Sequence, residues 1–129
     1  MQHDRLRNLS RRERQIMDVI YRLGRATVAE VRDNIPEPPT ENALRRLISI
    51  LEEKGMLRHA WDGPRHVYSP IIGKGQASRS ALDHLKQTFF DGSTARAMVA
   101  LFDQAGTDLS PEDLALLEER IAAAKRQNR

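Results

Sequence analysis

Residues 43–55 read ALRRLISILEEKG. Leu44, Leu47, Ile48 and Leu51 recur at i, i+3, i+4 and i+7, which is one face of an amphipathic helix. At about 100° per residue the opposite face carries Asn42, Arg46 and Ser49, with Arg45 on the flank. The apolar face has to bury against a core. The polar face has to be explained by what surrounds the helix.

The flanking sequence supplies the surroundings. Gly55 ends the helix at the position that favours a left-handed residue, and Gly24 ends an earlier stretch patterned Ile16, Val19, Ile20, Leu23. Ser10-Arg-Arg-Glu13 and Thr27-Val-Ala-Glu30 each fit a capping box. Helix one is therefore expected over about 10–23. Helix two is expected over about 28–35, with Val28, Val31 and Ile35 inward. Pro36-Glu37-Pro38-Pro39 cannot continue a helix and makes a stiff loop. Helix three then runs from near Thr40 to Lys54. Beyond it, Asp62-Gly63 signals a turn between two short runs containing Trp61, Val67 and Tyr68, a β-hairpin that Pro70 closes.

Ile72-Gly73-Lys74-Gly75 has the composition of a hinge. It suggests two domains, 1–72 and 73–129. Three amphipathic stretches follow: Ala77 to Phe89, Ala95 to Ala105, and Leu114 to Ala124 after the Ser110-Pro111 helix start. Three helices in 57 residues bury little surface alone. They either dock on the first domain or pair with a second copy, and the hinge and composition shift favour pairing. The residues expected at that pairing are Leu85, Phe89, Phe90, Met98, Val99, Phe102, Leu114, Leu117 and Ile121.

Composition removes several function classes. The 129-residue chain has no cysteine, which excludes disulfides, thiolate ligands and thiolate catalysis. No apolar run approaches the roughly 18 residues of a membrane helix, and the start MQHDRLRNLSRRER lacks the apolar stretch of a signal peptide. A cytoplasmic protein without membrane insertion is expected. Its net charge of +3 sits unevenly: residues 1–72 hold 13 Lys/Arg against 10 Asp/Glu, whereas residues 73–129 hold 8 of each. A basic N-terminal excess suits a polyanion partner, although charged helix faces can also be merely solvated. Residues 1–8 have two readings, a disordered start or a DNA-contacting arm.

Three helices followed by a β-hairpin form a winged helix-turn-helix, so the expected fold is mainly α: a winged-helix domain and a three-helix C-terminal dimerisation domain. The second helix of such a pair enters the DNA major groove. Asn42, Arg45, Arg46 and Ser49 are then the base-reading candidates, because Arg pairs with guanine and Asn with adenine by two hydrogen bonds. Thr40 caps that helix. With Arg11, Arg12, Arg58, Arg65 and His66 it forms the expected set of DNA-backbone contacts. Trp61 reads as a packing residue beside the turn, with DNA stacking as the other reading. His59 and His66 lie on opposite arms of the wing, and a polar wing surface is preferred there over a metal site. No catalytic, phosphate-loop or dinucleotide motif is present, and neither enzyme activity nor a cofactor is expected. A protein-interaction winged helix and a non-specific architectural DNA binder are the rival readings.

The segments LSRRERQIMDVIYRLGRATVAEV, ALRRLISILEEKGMLRHAWDGPRHVYSP and FFDGS…LFDQAGTDLSPEDLALLEERI together resemble the penicillinase-repressor family, the BlaI/MecI/CopY group of bacterial regulators. The resemblance spans about Leu9 to Ile121. It implies homodimeric repressors that bind dyad-symmetric double-stranded DNA operators, often of resistance genes. It places the recognition helix on Thr40–Leu51. This chain departs there: Pro38-Pro39-Thr40-Glu41-Asn42 stands where members often have an aromatic, then Ser or Thr, then Pro-Lys. The copper-responsive branch carries a cysteine cluster that this chain lacks. The β-lactam-responsive branch is released through a membrane sensor-protease pathway that cleaves an Asn–Phe bond. The corresponding bond here is Leu101–Phe102, without the Asn.

Overall fold

The computed structural model describes residues 8–128, so all but the last residue of the N-terminal arm considered above lies outside the described residues. The helices are α1 (Arg11–Leu23), α2 (Val28–Asn34), α3 (Glu41–Glu53), α4 (Lys74–Phe89), α5 (Thr94–Ala105) and α6 (Pro111–Gln127), with one 3-10 turn at Gly106–Asp108. Strands β1 (Leu57–Asp62) and β2 (Arg65–Pro70) follow α3 as an antiparallel hairpin. The fold is mainly helical, a winged helix followed by a helical C-terminal region.

Each helix boundary in the first half has a local cause. Ser10 and Thr27 cap α1 and α2 with complete capping boxes to Glu13 and Glu30. The end of α3 is a Schellman motif: Gly55 N–H donates to the Glu52 carbonyl at 3.0 Å and Met56 N–H to that of Leu51 at 2.9 Å. Gly55 sits at φ +77°, and the accompanying apolar contact is in place because Leu51 and Met56 are both fully buried. The hairpin register pairs Asp62 with Arg65, so the turn itself is Gly63-Pro64. Pro64 cannot take a positive φ, so Gly63, at φ +63°, carries the inversion that a tight hairpin requires.

The chain separates into two compact units, one ending at Leu82 and the other starting at Asp83. The first unit holds the core. Ile16, Val19 and Ile20 of α1, Val28 and Val31 of α2, and Leu44, Ile48 and Leu51 of α3 are buried together with Ile35, Leu57, Tyr68 and Ile72. Ala26 bridges to Tyr68 and so adds a third edge to the hairpin. Two expectations change. Leu23, the last member of the α1 stripe, is exposed, and Met17 is buried in its stead. Lys74 and Gly75 open α4 rather than forming a hinge. The reason is packing: Ala77 lies against the core, Ser80 is buried, and the Tyr21 hydroxyl donates to the Ile72 carbonyl at 2.8 Å.

The second unit contrasts with this. Among its described residues none is buried, and Phe89, Met98, Val99, Leu101 and Ile121 are each more than half exposed. No helix among the described residues is long and apolar enough to cross a membrane.

Candidate nucleic-acid interface

Helix α3 starts because the Thr40 hydroxyl accepts the Ala43 N–H at 3.2 Å and Glu41 sits in the first turn, where its charge suits the positive helix end. Its buried stripe turns Asn42, Arg45, Arg46 and Ser49 outward, and all four are exposed. Among the described residues, no hydrogen bond or ion pair engages Asn42, Arg46 or Ser49. Arg45 Nη2 lies 3.0 Å from Glu41 Oε1, one turn earlier. Both partners are exposed, so the pair is worth only about 0.3–0.5 kcal/mol and yields readily to a phosphate or base.

The backbone-contact candidates are less uniform. Arg11 at the start of α1, Arg58 on β1 and Arg65 beside the turn are exposed. Arg12 is already engaged: Nη1 donates to the Pro36 carbonyl at 3.1 Å, and Nη2 to that of Glu37 at 2.7 Å. It ties α1 to the loop that enters α3, and it holds Glu37 at φ +46°, a left-handed position that costs a non-glycine residue about 1 kcal/mol or more. Arg65 acts over a distance on Glu30. That carboxyl is held below its usual range chiefly by hydrogen bonds from Thr27, with smaller contributions from the charges of Arg65 and Arg25.

His66 is only partly displayed on the wing surface. The register places Trp61 opposite His66 and His59 opposite Tyr68 on one face of the hairpin. His59 and His66 stack with centroids 4.2 Å apart and planes 17° apart, and Trp61 meets His66 edge-on at 4.0 Å. The Nδ1 of His66 faces the Tyr68 hydroxyl at 3.4 Å, and its Nε2 is buried without a partner. His66 is thus a packing plate in the wing. The two imidazoles lie face to face, so their nitrogens do not converge on a common point. His59 Nδ1 lies 2.6 Å from Glu52 Oε2 on α3. Trp61, expected to pack, is 69% exposed.

A second anchor joins α1 to the end of α3. Glu13, buried, places Oε1 2.8 Å from Lys54 Nζ, and Lys54 also donates to the Asn8 carbonyl at 3.2 Å. Burial alone would push the Glu13 carboxyl up. The hydrogen bonds from Lys54 and Ser10, with the Lys54 charge, outweigh it and hold the group below the ordinary glutamate range.

This first unit is a three-helix winged helix with an arginine-bearing helix face and exposed arginines on the wing. The penicillinase repressor family model matches residues 9–123. The chain belongs to the penicillinase repressor family. No curated protein matched the chain. Penicillinase repressors are a family of DNA-binding transcriptional repressors, which accords with a winged helix that carries free Asn and Arg side chains on its third helix.

In the second unit, the residues expected to pair two penicillinase-repressor chains are all accessible. Phe89, Phe90, Ala95, Val99 and Ala100, with Arg96 and Asp103, line a depression of about 490 Å³. Leu114, Leu117 and Ile121 share one stripe of α6, and Phe102 and Met98 are one turn apart on α5. Leu101 and Phe102 are both exposed, but the bond between them lies inside α5. Three features of the first unit escaped sequence reading: the Arg12 tie, the Glu13–Lys54 pair and the Glu52–His59 bond. Glu13 had left a mark as the N3 residue of a capping box.

Proposed function

We propose that this chain is a sequence-specific transcriptional repressor that binds a dyad-symmetric DNA operator as a homodimer in the cytoplasm. The observation that carries the reading is the outward face of α3, where Asn42, Arg46 and Ser49 are exposed and unpaired beside a weakly paired Arg45. Asn42 and Arg46 carry the donor patterns that discriminate adenine and guanine in the major groove. Arg11, Arg58 and Arg65 supply backbone contacts, with the Thr40-capped helix start as a further phosphate site. Arg45 serves bases or phosphates once released from Glu41.

Dimerisation is supported by the uncovered apolar residues of the second unit. Fully burying a Leu, Val, Met or Phe side chain contributes about 1.5–3 kcal/mol, so a second copy is the occupant that would cover the stripes of α5 and α6 at once. A resistance or stress gene is the proposed target. A membrane sensor-protease pathway acting at Leu101–Phe102 is a proposed release route, and it requires α5 to open first.

The test is selection of bound sequences from a random duplex library by the full-length protein. A two-fold symmetric motif, with half-sites about 34–36 Å apart or a multiple of that, is the expected result. A bound pool without a motif would identify an architectural DNA binder. No retention at low salt would leave a protein-interaction module.

A further inference from the structure

The wing carries a feature that the base-reading and phosphate-contacting residues do not use. Trp61, the single tryptophan of the chain, is 69% exposed although tryptophan is on average highly buried. It is not loose. Its ring is braced edge-on by His66 at 4.0 Å, His66 stacks on His59 at 4.2 Å, and His59 is bonded to Glu52 of α3 at 2.6 Å. A continuous line of contacts therefore runs from the recognition-helix candidate to the wing tip. The Nε2 of His66 is buried, so the ring is packed into this line of contacts rather than standing free in solvent.

We infer that Trp61 is a further DNA contact, an apolar one, which lays its indole on the deoxyriboses of the backbone flanking the segment read by α3. The inference rests on the DNA-binding reading above. Three observations select duplex DNA as the occupant. The indole sits at the hairpin end, one position before the Asp62–Arg65 closing pair, and exposed Arg65 projects from the other face of the same hairpin end. Exposed Arg58 also projects from that other face, so the wing presents an apolar plate on one face and cations on the other, the two characters that alternate along a sugar–phosphate chain. The wing face bearing Trp61 is also the face that joins α3 through Glu52, so the contact continues the proposed interface. An aromatic side chain covers about 150–250 Å² at low entropic cost, because it has only two side-chain torsions to fix. Glu52, His59 and His66 are positioning residues for the indole.

The test uses the full chain and a mixed-sequence duplex of about 30 base pairs at low salt, long enough for two half-sites. Binding is followed by the anisotropy of a labelled duplex, and Trp61 by acrylamide quenching with the unlabelled duplex. With excitation beyond the tyrosine absorption band, the emission has one source, the single tryptophan. The expected result is that DNA shields Trp61 from acrylamide, that Trp61→Ala weakens binding about tenfold, and that Trp61→Phe retains most of the affinity. The salt dependence should be unchanged in Trp61→Ala and shallower by about one unit in Arg65→Ala. His66→Ala should weaken binding as Trp61→Ala does, and His66→Phe, which restores a ring under the indole, should rescue it. Normal anisotropy binding with unshielded Trp61 and unaltered affinity in Trp61→Ala would overturn this inference and leave the DNA reading intact. Shielding that rises with protein concentration in the absence of DNA would overturn it in favour of a contact between copies. No duplex binding by any variant would overturn both readings.

Discussion

Glu13 Oε1 lies 2.8 Å from Lys54 Nζ, so the third residue of α1 is bonded to the residue that closes α3. The Glu13 side chain is 4% exposed and that of Lys54 39%, so the pair is only half shielded from water. Glu13→Gln keeps a capping-box acceptor and removes the charge. It should lower stability by about 1–2 kcal/mol, the range of a charge-assisted hydrogen bond discounted for the exposed ammonium. The folded-state pKa of Glu13 is depressed. Its stabilisation is thus complete above the ordinary value of 4.5 and is lost as pH falls through the lower folded value. Urea unfolding across that range should show the gap between the two chains closing with acid. A gap that persists at all pH values would assign the effect to capping and packing instead.

Arg46 stands on the outward face of α3 without a partner among the described residues, and its guanidinium is therefore free to meet a base. Arg46→Ala should cost about 1–3 kcal/mol on the selected operator and relax the preference at one base pair in each half-site. Competition by single-substitution operators measures both. An equal loss on every duplex would reassign Arg46 to the phosphates.

How much of this was legible beforehand divides along physical lines. The stripe Leu44, Leu47, Ile48 and Leu51, the capping boxes at Ser10 and Thr27 and the glycine stop at Gly55 are local, so a single sequence displays them. The turn was displaced by one residue because Asp-Gly and Gly-Pro are both turn dipeptides, and only the cross-strand register decides between them. The Arg12 tie spans 25 residues and the Lys54 pair 41. Contacts at such separation leave no periodicity to read. The place of His66 near the turn suggests a backbone contact on the wing surface. The alternation of strand faces puts it with Tyr68 on the inner side, a parity that follows once the register is known. The lack of any buried residue after Asp83 among the described residues was also beyond reach, since an amphipathic stripe looks the same whether its partner lies in the same chain or another.

Arg12 gives a test between two roles for one side chain. Its guanidinium holds the carbonyls of Pro36 and Glu37 with two nitrogens, a fork that lysine cannot reproduce. Arg12→Lys keeps the charge and should nevertheless behave like Arg12→Ala. Both should lose about 1–2 kcal/mol of stability and some affinity on all duplexes, because the loop aims α3. The salt dependence of binding should not change. A phosphate contact predicts the reverse pattern: Arg12→Lys near wild type, and a salt slope shallower by about one in Arg12→Ala.

The second unit makes the dimer testable by charge. Val99 lines the depression on α5, and Phe102 lies three residues further along the same helix. Placing a carboxylate at Val99 would bury it unpaired at the proposed contact. Val99→Asp should therefore raise the dimer dissociation constant at least about a hundredfold. Sedimentation equilibrium should read a dimer for wild type and a monomer for the variant at the same concentration. Leu116 provides the comparison. It is equally apolar and half exposed, but it falls off the Leu114, Leu117 and Ile121 stripe of α6. Leu116→Ser should leave the mass unchanged. Val99→Asp should also lose operator affinity while keeping the non-specific binding of a single winged helix, because one recognition helix can occupy only one half-site. Equal dimer loss in Leu116→Ser would mean that α6 pairs through a different face. A dimer that survives Val99→Asp would place the contact elsewhere on the chain.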